Sequence, residues 1–137
     1  MSTRQKIILS CFVIVVLFST PVVLFAKEVK IDVVYMNHGP LQSTLQEIKS
    51  LFGKYGKKIL VSWYDVESSE GEQFMAKKGI RGHIPLVIWM DNQLKFQVDG
   101  KEIIFAGFPT GSGPYFFQGK WTMGDLQKAL NQITNQK

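Results

Sequence analysis

The sequence predicts an α/β domain: a three-layer sandwich whose central mixed sheet of 4–5 strands is flanked by helices, preceded by an apolar N-terminal helix. Three observations lead there. The apolar, β-branched run at 29–36 reads as a strand buried on both faces, and 59–64 and 84–90 read as two further strands. Segments with helical spacing lie between these runs, the alternation expected of an α/β sheet. After Met90, two short runs follow tight-turn signals and add a meander before a last helix.

Taken in order, Arg4 and Lys6 precede 20 uncharged residues, 7–26. A basic head before a long apolar run is an export signal or a membrane anchor, and about 20 residues suffice to span a bilayer. Pro21 interrupts the run late, and Ala26 is a small residue at which a signal peptidase could cut, although Leu24 suits that cut poorly. Residues 1–26 are therefore read as signal peptide or membrane anchor, and 27–137 as one domain with a single core. Either outcome exports the domain to the periplasmic or extracytoplasmic space, soluble after cleavage or membrane-associated through residues 7–26.

Within the domain, Pro40 suits the first turn of a helix, where its missing N–H is not needed. Leu41, Leu45, Ile48 and Phe52 continue that helix, Leu51 and Tyr55 widen its apolar stripe, and Gly53 and Gly56 end it. Ser69 and Glu72 have capping-box spacing and open a short helix that Gly79 stops. Pro85 leads into the third strand. Asp91-Asn92-Gln93 turns the chain into 94–98, and Asp99-Gly100 is a two-residue hairpin signal before 102–106. A long loop, 107–121, precedes a helix begun by Thr122 and Asp125 and carried by Leu126, Ala129, Leu130 and Ile133.

Composition excludes several functions. Cys11 is the only cysteine and lies in the apolar head, so the domain from Lys27 on has no thiol. It cannot form a disulfide, exchange thiols or bind metal through cysteine sulfur, and it is not a dithiol oxidoreductase. Two of the 16 Lys and Arg and none of the 11 Asp and Glu precede Lys27, leaving the domain a net charge of +3. Lys57-Lys58 and Lys77-Lys78 are its only basic pairs, so no stripe for nucleic acid is present.

Asp32 lies six residues before His38, Gly39-Pro40 follows at once, and Gly79-Ile80-Arg81-Gly82 leads through His83 to Ile84-Pro85. Together these motifs, across residues 29–90, resemble the thioredoxin family in its compact form, without the extra N-terminal strand and helix. The resemblance implies that His38 and Leu41 stand where that family carries its two cysteines, with Asp32 as the buried acid. It implies a cis bond before Pro85, with His83 as one inserted residue. It also implies a groove walled by Asn37, His38, Gly39, Pro40 and Leu41, by His83, Ile84 and Pro85, and by Gly107, Phe108, Tyr115, Phe116 and Phe117. A groove that keeps its shape and loses its nucleophile points to a non-catalytic module holding an extended peptide or an envelope protein partner by strand addition, with no cofactor.

A second reading stays open. His38 and His83 are the only histidines and border the same groove, and an uncharged imidazole can act as base or ligand. That makes a His-based metal-binding or redox accessory protein of the envelope the alternative. No third strong ligand is evident, so no metal is assigned. Residues 107–121 hold four glycines, two prolines and five aromatics, a composition that buries surface rather than staying disordered. Their rings either cap the core or present a binding face.

Overall fold

The computed structural model describes residues 28–135. The signal or anchor reading of residues 1–26, with Cys11, lies outside them. The described residues form a mixed α/β structure. Strands β1 (Val29–Tyr35), β2 (Ile59–Asp65) and β3 (Leu86–Met90) make one sheet, and β4 (Lys95–Val98) and β5 (Lys101–Ile104) a second. Helices α1 (Gln42–Gly53), α2 (Ser69–Lys77) and α3 (Met123–Asn135) complete it. The first sheet runs in the order β2-β1-β3, with β1 parallel to β2 and antiparallel to β3.

Alternation along β1 decides which helix covers which face. Val29, Ile31 and Val33 pack in one core cluster with Leu45, Ile48 and Phe52 of α1 and with Leu126, Ala129 and Leu130 of α3. Val34 points the other way and joins Val87 and Trp89 in a smaller cluster, against which Phe74 and Met75 of α2 pack. With both faces covered, every residue of β3 is buried, which suits its unbroken apolar run. Tyr55, just after α1, donates to the Gln127 carbonyl at 3.2 Å and to Asn131 Oδ1 at 2.8 Å, tying the two helices of that face. Burial there pushes its phenol up from the usual tyrosine range.

Four corrections to the sequence expectations have local causes. The expected continuous sheet of 4–5 strands is instead three strands plus a hairpin. Asp91 and Asn92, both at positive φ (47° and 65°), turn the chain off β3 after a single bridge between Met90 and Gln93. On the return, the Ala106 N–H donates to the Ile104 carbonyl at 3.0 Å rather than across to another strand, which kinks the chain. Only 105–107 then rejoin β3, through Ile88 N–H to Phe105 O at 2.9 Å and Gly107 N–H to Leu86 O at 2.8 Å. The Asp99-Gly100 turn forms as expected, with both residues at positive φ.

The second correction concerns the cap of α2, which is Ser68 rather than Ser69. Its Oγ accepts from Gly71 N–H at 3.0 Å and donates to the Asp65 carbonyl at 2.7 Å. Gly71 is required there, because a Cβ would sit 1.8 Å from the Asp65 oxygen. A third correction concerns the bond before Pro85, which is trans; the described residues contain no cis peptide bond. Pairing with β1 already begins at the proline, whose carbonyl accepts from Met36 N–H at 2.9 Å. Trans is also the intrinsically favoured form of an X–Pro bond, by about 0.5–1 kcal/mol. The fourth is small: the first helix opens through a 3-10 turn at Gly39–Leu41 that holds Pro40. No helix among the described residues is long and apolar enough to cross a membrane.

Candidate functional site

Because β1 and β2 are parallel, their C-terminal ends emerge at the same end of the sheet, and antiparallel β3 begins there. Three segments therefore converge: Met36 to Leu41, the approach to β3, and the loop after β5. Between them lies a cavity of about 110 Å³ lined by Met36, His38, Pro40, Leu41, His83, Pro85, Phe108, Pro114 and Phe117. A broader hollow of about 450 Å³ shares Met36 and His83 with it and is walled by Val66, Glu67, Glu72, Met75, Ala76, Ile80 and Arg81. The two hollows adjoin at Met36 and His83 and are together termed the groove.

The polar groups of the groove lie at its rim. His38 Nε2 is 2.9 Å from Glu67 Oε1, with both side chains about half exposed or more. An exposed pair of this kind orients the imidazole more than it stabilises the fold. The His38 and His83 ring centroids are 6.3 Å apart, and His83 lies 5.8 Å from the Phe117 ring. Along the approach to β3, none of the N–H groups of Arg81, Gly82, His83 and Ile84 meets a backbone carbonyl among the described residues.

Of the residues expected to form the groove, His38, Pro40, Leu41, His83, Pro85, Phe108 and Phe117 line the cavity. Asn37 is exposed at the rim and accepts from Gln42 Nε2 at 2.7 Å, and Gly39 is exposed beside it. Ile84 turns away and packs in the cluster under α2. Gly107 contributes backbone, its N–H bound to Leu86. Asp32 is buried as expected, 3.5 Å from Lys30 Nζ and accepting a long 3.5 Å bond from the Tyr64 hydroxyl, but it lines neither hollow. Met36, four residues further along, is ~13 Å away at strand rise.

Sequence reasoning missed Glu67 and the α2 wall. Glu67 was within reach of it: parallel β1 and β2 place whatever follows β2 beside whatever follows β1. Among the described residues, no three His, Cys, Asp or Glu side chains are placed to hold a metal ion.

The 107–121 loop is firmly tied. Phe108 N–H donates to Phe117 O at 2.8 Å, Gly119 N–H to Phe108 O at 2.7 Å, and Thr110 N–H to Trp121 O at 2.7 Å. The Gln118 side chain bridges the tip, accepting from Gly111 N–H at 3.1 Å and donating to Gly113 O at 3.1 Å. At the base, Trp121 is buried, donates to the Ala106 carbonyl at 3.2 Å and meets the Phe105 ring edge-on at 5.4 Å. At the tip, Tyr115 and Phe116 are 82% and 93% exposed and touch chiefly each other, at 5.9 Å between centroids. The base rings thus cap the core, while the tip rings stand in water.

The site therefore offers an apolar floor, an oriented imidazole, open backbone donors and two exposed rings, with no thiol. Comparison of the chain with family models, with curated proteins and with solved structures finds no match.

Proposed function

We propose that this chain is an exported, non-catalytic binding module of thioredoxin-like build that holds an extended segment of a partner protein in this groove. The observation that carries the reading is the pair of rings, Tyr115 and Phe116, held in water by a hydrogen-bonded loop beside an apolar cavity. Exposed large apolar side chains held together mark interaction sites. Aromatic rings on a rigid loop also bind with little loss of conformational entropy. An extended segment would pair its carbonyls with the open N–H groups of Arg81 to Ile84 and set alternate side chains into the cavity. The β2-β1-β3 order, the helices on both faces and Gly39-Pro40 at the start of α1 support the thioredoxin-like build. The trans bond before Pro85 does not, and the strand-addition reading rests on the open donors instead.

A second reading draws on the His38–Glu67 pair with His83 nearby, which would suit a His-based metal-binding or redox accessory protein of the envelope. A carboxylate that orients an imidazole is a common support for a metal ligand. It ranks lower because the third ligand is missing among the described residues.

Capture from the native envelope by the full chain tests both. The Tyr115→Ala, Phe116→Ala double variant should retain less than about a tenth of the partner held by the natural chain, a loss of roughly 1.4 kcal/mol or more. Its circular dichroism should be unchanged. Equal capture by the two proteins would remove the groove reading. Metal that co-purifies with the natural chain and is lost on His38→Ala would move the second reading ahead.

A further inference from the structure

The groove occupies one end of the sheet; one long side of the sheet is unpaired among the described residues. β2 is its terminal strand, and among the described residues no strand pairs with its outer edge. In a parallel ladder alternate residues turn both backbone groups toward the neighbour. Val66 N–H donates to Tyr35 O at 3.0 Å, and that phase turns Leu60, Ser62 and Tyr64 inward to β1. Ile59, Val61, Trp63 and Asp65 therefore turn their N–H and C=O groups outward. The Asp65 carbonyl is taken by Ser68, but among the described residues no backbone partner outside the ladder meets the N–H and C=O groups of Val61 and Trp63.

Proteins protect such edges with proline, lysine, a bulge or short length. β2 has none of these. It is seven residues, Ile-Leu-Val-Ser-Trp-Tyr-Asp, in unbroken register with β1, and Leu60 is 56% exposed on it. An edge so apolar and so regular can accept a further strand.

We propose that the outer edge of β2 pairs with the same edge of a second copy of this chain, antiparallel about a two-fold axis at Ser62. Charge selects this partner and this direction. Lys57 and Lys58 precede β2, while Asp65 closes it and Glu67 follows. Antiparallel self-pairing sets the basic end of each copy against the acidic end of the other. Parallel pairing would set like against like. The phase of the ladder fits as well: outward residues must face outward residues, and an axis at Ser62 puts Val61 opposite Trp63. Those two exchange backbone hydrogen bonds, and Leu60 lies opposite Tyr64, apolar against aromatic. The sheet then runs unbroken through both copies, and the basic end of the second copy comes up beside Glu67 at the groove. The pairing itself does not rest on the proposed function.

The described domain lacks cysteine, so a single introduced thiol reports the axis directly. In the full chain carrying Cys11→Ser, Ser62→Cys should cross-link to a covalent dimer on mild oxidation. Residues facing each other across a non-hydrogen-bonded antiparallel pair have Cα atoms about 4.5 Å apart, inside the roughly 4.4–6.8 Å that a disulfide spans. Leu60→Cys should cross-link poorly, because its counterpart lies opposite Tyr64. By sedimentation the natural chain should be a dimer. Leu60→Lys should weaken it about tenfold or more, as should Val61→Pro, which removes an outward donor and leaves the inner ladder intact. Leu60 is already half in solvent, so Leu60→Lys keeps the test sound if Val61→Pro misfolds. A monomeric natural chain overturns the proposal, including one whose Val61 and Trp63 amides are protected by another segment or another protein. So does a dimer indifferent to Leu60→Lys, or Leu60→Cys cross-linking as readily as Ser62→Cys.

Discussion

The base and the tip of the 107–121 loop are both aromatic and have opposite fates. Phe108 and Trp121, at the base, are sealed into the core, while Tyr115 and Phe116, at the tip, stand almost wholly in water. Slackness does not explain the difference, since the tip carries its own bonds through Gln118 and the base through Ala106, Thr110 and Gly119. One aromatic composition thus serves two ends. At the base, rings stabilise the fold by leaving water; at the tip, the backbone bonds hold rings that contribute little to folding. If that division is right, stability and recognition should separate cleanly when the two halves are mutated.

The largest effect is expected at the base. Trp121→Ala removes a fully buried indole, its contact with Phe105 and its bond to the Ala106 carbonyl. Large-to-small changes of this kind cost about 3–5 kcal/mol. Denaturant titration should show a loss of that size, and a loss under about 1 kcal/mol would place the base outside the core. The next effect joins the halves. Gly107 sits at φ +75°, and a Cβ there would lie 2.5 Å from the Phe117 carbonyl and 2.9 Å from the Gly119 nitrogen. Gly107→Ala should therefore cost roughly 1–3 kcal/mol. Because Phe117 ends the turn that carries Tyr115 and Phe116, the same change should also lower partner capture. Lost stability with full capture would mean that the tip holds its shape without the base.

Most of the fold was legible because its signals are local and repeated. The apolar run of β1, the stripe from Leu41 to Phe52, and the Asp99-Gly100 turn each dictate their own structure, and each forms within a residue or two of expectation. Features set by distant neighbours were not legible. On paper the spacing to Glu72 favours Ser69 as the cap, and the Asp65 carbonyl, which accepts from the Ser68 hydroxyl, selects Ser68 instead. The split of the sheet follows in part from an Ala106 N–H turned back on Ile104, and residues 104–106 themselves hold no glycine or proline to announce it. In the groove, residues beside Gly39-Pro40 and Pro85 were recoverable because a turn and a strand entry position them. Which rings of the long loop face water depends on where Thr110 and Gly119 clasp, and composition cannot show that.

The smallest stability effect is the one that decides the comparison. Substituting Phe116 with Ala removes a ring that touches chiefly Tyr115, so no cavity opens and no polar group loses its partner. Exposed substitutions of this sort stay within about 0.5 kcal/mol. Thermal melts of Phe116→Ala and of the natural chain should therefore superimpose while capture of the partner falls. A marked drop in melting temperature would show that the tip ring also supports the fold. The division between a base that stabilises and a tip that recognises would then have no basis, because lost capture could follow from a loosened loop alone.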